Sequence, residues 1–123
     1  MDPKVEQFAN QHYLNLETYR KDGQAVRTPV WFAADYGVLY VHAVKHAGKV
    51  KRIRRTARAR VAPCDMIGVV TGEWIDGEAR VLDEAGTTRA NQLRDQKYGE
   101  AMAQFKQRNN LQNVAWDAIE IRV

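Results

Sequence analysis

Thirteen residues, Gly48 to Arg60, hold the densest chemistry of the chain: Gly-Lys-Val-Lys-Arg-Ile-Arg-Arg-Thr-Ala-Arg-Ala-Arg. Seven of them are Lys or Arg and none is acidic, whereas the whole 123-residue chain carries a formal +4, so the remainder sums to −3. The positive charge is local, and a local excess of this kind is a site for an anion, either a nucleic-acid backbone or the phosphate of a cofactor. Val50 and Ile53, three apart, mark one apolar face of a short helix beginning at Gly48, with Lys49 and Arg52 neighbours on another face. Cations at a helix N-terminus oppose the macrodipole at a cost of roughly 0.3 kcal/mol or more, which a bound anion would offset. The backbone amides of Gly48 and Lys49, together with the side chains of Lys49, Lys51 and Arg52, would form a phosphate cradle.

Other groups near this segment could join it. His42 and His46 straddle the approach to the cradle, and an imidazole near its neutral pKa can donate to a phosphate or protonate a substrate, although a lone histidine is more often a surface group. Trp31, Tyr36, Tyr40 and His42 are candidates for the wall of a cleft, against the alternative that strand aromatics simply pack in the core. Arg54, Arg55, Arg58 and Arg60 read as a solvated face paired with acidic residues of a partner subunit. The basic stripe lacks interleaved aromatics and any helix-turn-helix or zinc pattern, which argues against nucleic acid as the ligand. The single cysteine, Cys64, excludes an internal disulfide and a cysteine-cluster metal site, and reads as a small buried apolar group at a strand end. No metal is implied, and no side chain declares itself as a catalytic acid, base or nucleophile.

The elements around these residues follow from pattern. Asp2-Pro3 starts a helix whose apolar positions Val5, Phe8 and Ala9 carry it to about Asn10. Tyr13–Tyr19 alternates imperfectly as a strand, Asp22-Gly23 makes a tight turn in which both positions can take positive φ, and a return strand runs from Ala25 to Ala34. Pro29 cannot donate to a ladder, so it belongs at an edge or bulge where backbone is left to face a ligand. Asp35-Tyr36-Gly37 turns the chain into a third strand, Val38 to Ala43. After the basic helix, Arg58 to Ala62 is a half-buried strand ended by Pro63-Cys64-Asp65, and Val69 to Leu82 reads as one long bent or bulged strand. Asp83 and Glu84 open a helix that breaks at Tyr98-Gly99. A further helix carries Ala101, Met102 and Phe105 to the polar run Gln107–Asn110, and Val114–Val123 closes as a strand. The sum is an α+β chain of about six strands and three or four short helices, built on an antiparallel sheet or small barrel.

Length and composition fit one domain over residues 1–123, with 45% apolar residues sufficient for a single core. The N-terminus lacks the apolar stretch of a signal peptide and no run approaches the ~20 apolar residues of a membrane span, so a cytoplasmic protein without membrane contact is expected.

In order along the chain, Tyr13–Arg20, Asp22-Gly23, Thr28-Pro29-Val30-Trp31-Phe32, Leu39-Tyr40-Val41, Gly48–Arg54 and Val61–Asp65 resemble the pyridoxamine 5′-phosphate oxidase-like split β-barrel proteins, most of all the subgroup described as F420 (deazaflavin)-dependent oxidoreductases. The resemblance implies an antiparallel split β-barrel with short flanking helices, and a homodimer with cofactor clefts at the subunit interface binding FMN or F420. It makes Lys49 the phosphate-binding lysine, extended by Gly48, Lys51 and Arg52, and lays the backbone of Thr28, Pro29, Val30 and Trp31 along the ring, with His42 nearby. Ala43 and Ala47 stand where such proteins commonly carry hydroxyl residues. The implied chemistry is hydride transfer between the ring and a small organic substrate; the alternative is a non-catalytic cofactor-, haem- or tetrapyrrole-binding protein of the same fold.

Overall fold

The computed structural model describes residues 3–109 and 115–123, with the backbone alone for residues 3, 4 and 106. Asp2, Asn110 and Val114, which figured in the expected element ends, lie outside the described residues. In chain order the elements are α1 (Pro3–Glu6), β1 (Tyr13–Tyr19), β2 (Ala25–Asp35), β3 (Val38–Val44), α2 (Gly48–Arg55), β4 (Arg58–Cys64), β5 (Ile75–Val81), α3 (Glu84–Tyr98), α4 (Glu100–Arg108) and β6 (Trp116–Arg122). The six strands close into an antiparallel barrel in the order β1-β2-β3-β6-β5-β4. This is the expected split-barrel architecture. None of the helices among the described residues is long and apolar enough to cross a membrane.

Closure gives each strand an inner and an outer row. The inner row supplies Leu14 and Leu16 from β1, Val30 and Phe32 from β2, Leu39 and Val41 from β3, Val61 from β4, and Ile119 and Ile121 from β6, all in one buried cluster. Val50 and Ile53 of α2 join that cluster, so the predicted apolar face of the basic helix is what seats it on the barrel. The outer row explains why β1 alternates poorly. Asn15, Glu17 and Tyr19 point outward yet are buried: Asn15 Nδ2 donates to the Gly68 carbonyl at 3.0 Å, and Glu17 accepts from Tyr19 and Arg27, each at 2.6 Å.

The feature that positions the candidate site is a change of partner within β2. Its first part, Ala25–Trp31, pairs with β1, while Phe32–Asp35 pairs with Val38–Val41 of β3. Pro29 sits in the first part, opposite Asn15 and outside the β2–β3 pairing, so its missing N–H costs no bond on that side, as its edge reading required. At the switch the Tyr98 hydroxyl accepts from the Phe32 amide at 3.0 Å and lies 2.7 Å from the His12 carbonyl and 2.8 Å from the Phe32 carbonyl, while Lys97 Nζ donates to the Phe32 carbonyl at 2.8 Å.

Several expected boundaries shift for identifiable reasons. The first helix ends at Glu6, and Gln7 instead forms a two-way clip with Glu73, donating to its carbonyl and accepting from its amide, each at 2.8 Å. That clip occupies backbone groups a ladder would have used, so the long strand expected over Val69–Leu82 is only β5, with one isolated bridge, Cys64–Val70, before it. At Asp22-Gly23 only Gly23 has positive φ (88°), because Asp22 Oδ1 accepts from the Gln24 amide and stabilises the turn by that route. β4 runs on through Pro63 and Cys64, whose thiol is buried and pushed up to about 11 by burial and by Asp65.

Candidate functional site

The site residues read from the sequence fall into two groups. Gly48, Lys49, Lys51 and Arg52 lie at the start of α2. Its N-cap, Ala47, offers no side-chain hydrogen bond, its first turn holds no acid, and neither the Gly48 nor the Lys49 amide donates to a backbone partner among the described residues. Arg52 folds back over this end: its Nε donates to Thr18 Oγ1 at 2.7 Å, and a Cβ placed on Gly48 would come 2.8 Å from its Nη1. Glycine at position 48 therefore leaves the space the guanidinium uses. Burial lowers the pKa of Lys49, and Arg52 lowers it further; burial and then Arg20 lower that of Arg52. Neither has a carboxylate partner among the described residues, so positive charge accumulates at the positive end of a helix with nothing to balance it. Lys51 is exposed on α2.

Pro29, Val30, Trp31 and His42 line a cavity of about 630 Å³ against the outside of the barrel, covered by α4. Trp31 is held rigidly: its ring stacks on Tyr98 with centroids 4.4 Å apart and planes at 13°, and Phe105 lies at 5.2 Å. Met66, Met102, Phe105 and Trp116 complete apolar walls. His42 Nε2 lies 2.7 Å from the side-chain amide of Asn91, which fixes the imidazole against α3. Among the described lining residues none is acidic, while Arg94 and Arg108 bring positive charge.

The cradle residues and Thr28 do not line this cavity, so the site expected as one unit is two neighbouring features. Thr18, which holds Arg52, is opposite Val26 in the β1–β2 register, and Pro29 is three residues further along β2, about 10 Å at the rise of a strand. Other expectations are corrected. Tyr36 is 94% exposed at the tip of the β2–β3 hairpin, and Tyr40 lines a separate small depression with Arg80 and Glu120, so neither walls the cavity. His46 is exposed with φ 67° and does not line the cavity with His42. Arg60 pairs within its own chain, with Glu17 at 3.4 Å and Asp76 at 3.5 Å; Arg55 donates to the Tyr19 carbonyl and Arg58 covers the Tyr19 ring. The sequence reading missed Arg94 and Met66, which reach the cavity only through tertiary packing, and Asn91, which holds His42 from behind it. Among the described residues no three His, Cys, Asp or Glu side chains converge as a metal site.

No family model matches the chain, and no curated protein sequence matches it. Solved structures do. A candidate pyridoxamine 5′-phosphate oxidase from Listeria innocua superposes with a TM-score of 0.63 at 18% identity, over 95% of this chain and 85% of that one. An FAD-binding protein from Mesorhizobium loti gives 0.69 at 15% identity, over 97% and 84%. The haem storage protein HutZ from Vibrio cholerae gives 0.69 at 14% identity, over 98% and 88%. The chain thus has the fold of pyridoxamine 5′-phosphate oxidase-like split barrels, a fold used by proteins with different ligands.

Proposed function

We propose that this protein binds a flavin-type cofactor, FMN or F420, with the phosphate held at the N-terminus of α2 by Gly48, Lys49, Lys51 and Arg52 and the ring laid toward Pro29, Val30 and Trp31. The observation that carries the reading is the partly buried, carboxylate-free pair Lys49 and Arg52 at an uncapped helix start, in a barrel that also holds a cavity walled by aromatic side chains. The residues present fit a phosphate: glycine at position 48 lets the Arg52 guanidinium lie over the start of α2, where Lys49 adds a second cation and no acid stands in the first turn. A bound flavin or deazaflavin supplies hydride transfer with a small organic substrate; this chain positions the ring, excludes water with Trp31, Trp116 and Phe105, and sets a positive field. A second copy of the chain would complete the cleft, since Met66, Ile67 and Val69 stand 68%, 77% and 56% exposed beside it. The test is fluorescence titration with FMN and, separately, F420. Saturable binding of one, lost in Lys49→Ala/Arg52→Ala, is expected; equal affinity in that variant sinks the cradle.

One observation favours a second reading, a haem- or tetrapyrrole-binding protein: His42 is in the cavity wall, and the fold includes a haem storage protein among similar structures. Ligation through Nε2 would have to displace Asn91. A Soret band lost in His42→Ala would favour haem over flavin.

A further inference from the structure

Arg94 is a buried cation whose partnering stops short. Its side chain is 8% exposed, and the hydrogen bond it makes among the described residues is from Nε to Asp95 at 3.1 Å, a carboxylate that is itself 61% exposed. The two terminal nitrogens take no partner among the described residues, and Arg94 lines the cavity. The fork is therefore not sealed in the core but opens toward the cavity that Arg94 lines, and a planar fork matches a carboxylate with two parallel bonds. A second donor points the same way: Trp116 Nε1, in the same lining, is buried with no hydrogen-bond partner among the described residues. The described lining offers Arg94, Arg108 and His42 and no acid; Asp95, on the Nε edge of Arg94, is exposed and outside that lining.

We infer that Arg94 is the carboxylate anchor of the cavity, and that the molecule recognised there is a flat, largely apolar organic acid. The inference rests on reading this cavity as a ligand site but not on the cradle at α2 or on the identity of the cofactor. Trp31, Trp116 and Phe105 cover the apolar body; the fork of Arg94 takes the acid group. A carboxylate could arrive on a free aromatic acid or as the propionate of a haem.

The experiment is calorimetric titration of the full chain with 2-naphthoate and with its uncharged counterpart 2-naphthamide, in the wild type, Arg94→Gln and Arg108→Gln. The wild type is expected to prefer the acid at least tenfold, Arg94→Gln to lose that preference while keeping its affinity for the amide, and Arg108→Gln to retain it. A parallel haem titration separates the sources: weakening of haem by Arg94→Gln with no binding of naphthoate assigns the anchor to a propionate. Equal affinity for acid and amide in the wild type, retention of the preference in Arg94→Gln, or no binding of naphthoate, naphthamide or haem overturns the inference. Should Arg94→Gln fail to fold, the guanidinium signals of ¹⁵N-labelled wild type decide, since they must shift with the acid and stay in place with the amide. FMN and F420 titrations of the same proteins keep the two readings apart: acid binding through Arg94 without cofactor binding would remove the flavin assignment and leave this one standing.

Discussion

Tyr98 is the residue on which the candidate site mechanically depends. Where β2 leaves β1 for β3, the Phe32 amide and the His12 carbonyl lose strand partners, and a single phenol hydroxyl reaches both while its ring supports Trp31. Burial pushes this hydroxyl up to about 12, so it stays neutral over the working range and keeps both roles of donor and acceptor. Tyr98→Phe retains the stacking surface but strands the buried Phe32 amide and frees the His12 carbonyl, and is expected to cost about 1–3 kcal/mol in urea unfolding. An unchanged midpoint would show that water satisfies those groups. At this scale the cradle was legible in the sequence, because a helix N-terminus concentrates its chemistry within a few consecutive residues. Tyr98 and Arg94 were not: Tyr98 bonds Phe32 across 66 positions, and Arg94 joins a cavity assembled from separate stretches of chain, which no local pattern marks.

Among the elements, α2 couples stability to binding. Its buried residues Val50 and Ile53 fill the barrel core, while Lys49 and Arg52 face the anion site, so the same eight-residue helix serves as plug and as cradle. Ile53→Ala should cost about 2–5 kcal/mol and, by loosening the helix, weaken phosphate binding as well. Gly48→Ala should separate the two: its Cβ meets only the flexible end of Arg52, so cofactor affinity is expected to fall several-fold while the melting temperature stays near that of the wild type. A parallel loss of both in Gly48→Ala would contradict this division of roles. The elements with a clear period, β3, α2 and β6, were readable within a residue or two, and β1 was bounded by the turn that follows it in spite of its poor alternation. β5 was misjudged because hydrophobic residues alone do not tell a strand from a segment whose backbone is held by a distant side chain, here Gln7 on Glu73. α3 carries little amphipathic signal, and its start was found from the cap instead: Asp83 Oδ1 accepts from the Gly86 amide at 2.8 Å.

For the whole molecule, the titrating groups define a stability profile with a maximum on the alkaline side. Burial alone would raise Glu17 and Glu120, but hydrogen bonds from Tyr19 and Arg27 to the first and from Arg122 and Arg80 to the second, with the charges of those arginines and of Arg60, hold both below the ordinary 4.5. A carboxylate depressed in the folded state stabilises fully above 4.5, and that contribution disappears as pH falls through the folded value. Lys97 acts in the opposite region. Although much of the residue faces solvent, its ammonium is withdrawn onto the Phe32 carbonyl, and burial lowers its pKa from 10.5 to about 8. From pH 8 upward the folded state has shed a proton that the unfolded chain retains, so stability rises with pH. Above 9 the buried Cys64 thiol, raised to about 11, opposes the gain, and above 10 Tyr19 and Tyr98, both raised to about 12, reverse it. Urea midpoints measured from pH 3 to 11 should therefore fall below pH 4.5, climb between 8 and 9, level off to 10 and decline beyond. Lys97→Met should erase the climb and leave the acid limb unchanged, whereas Glu17→Gln should flatten the acid limb and leave the climb. A climb that persists in Lys97→Met would mean that the proton belongs to another group, with Lys49, also lowered by burial, the next to replace.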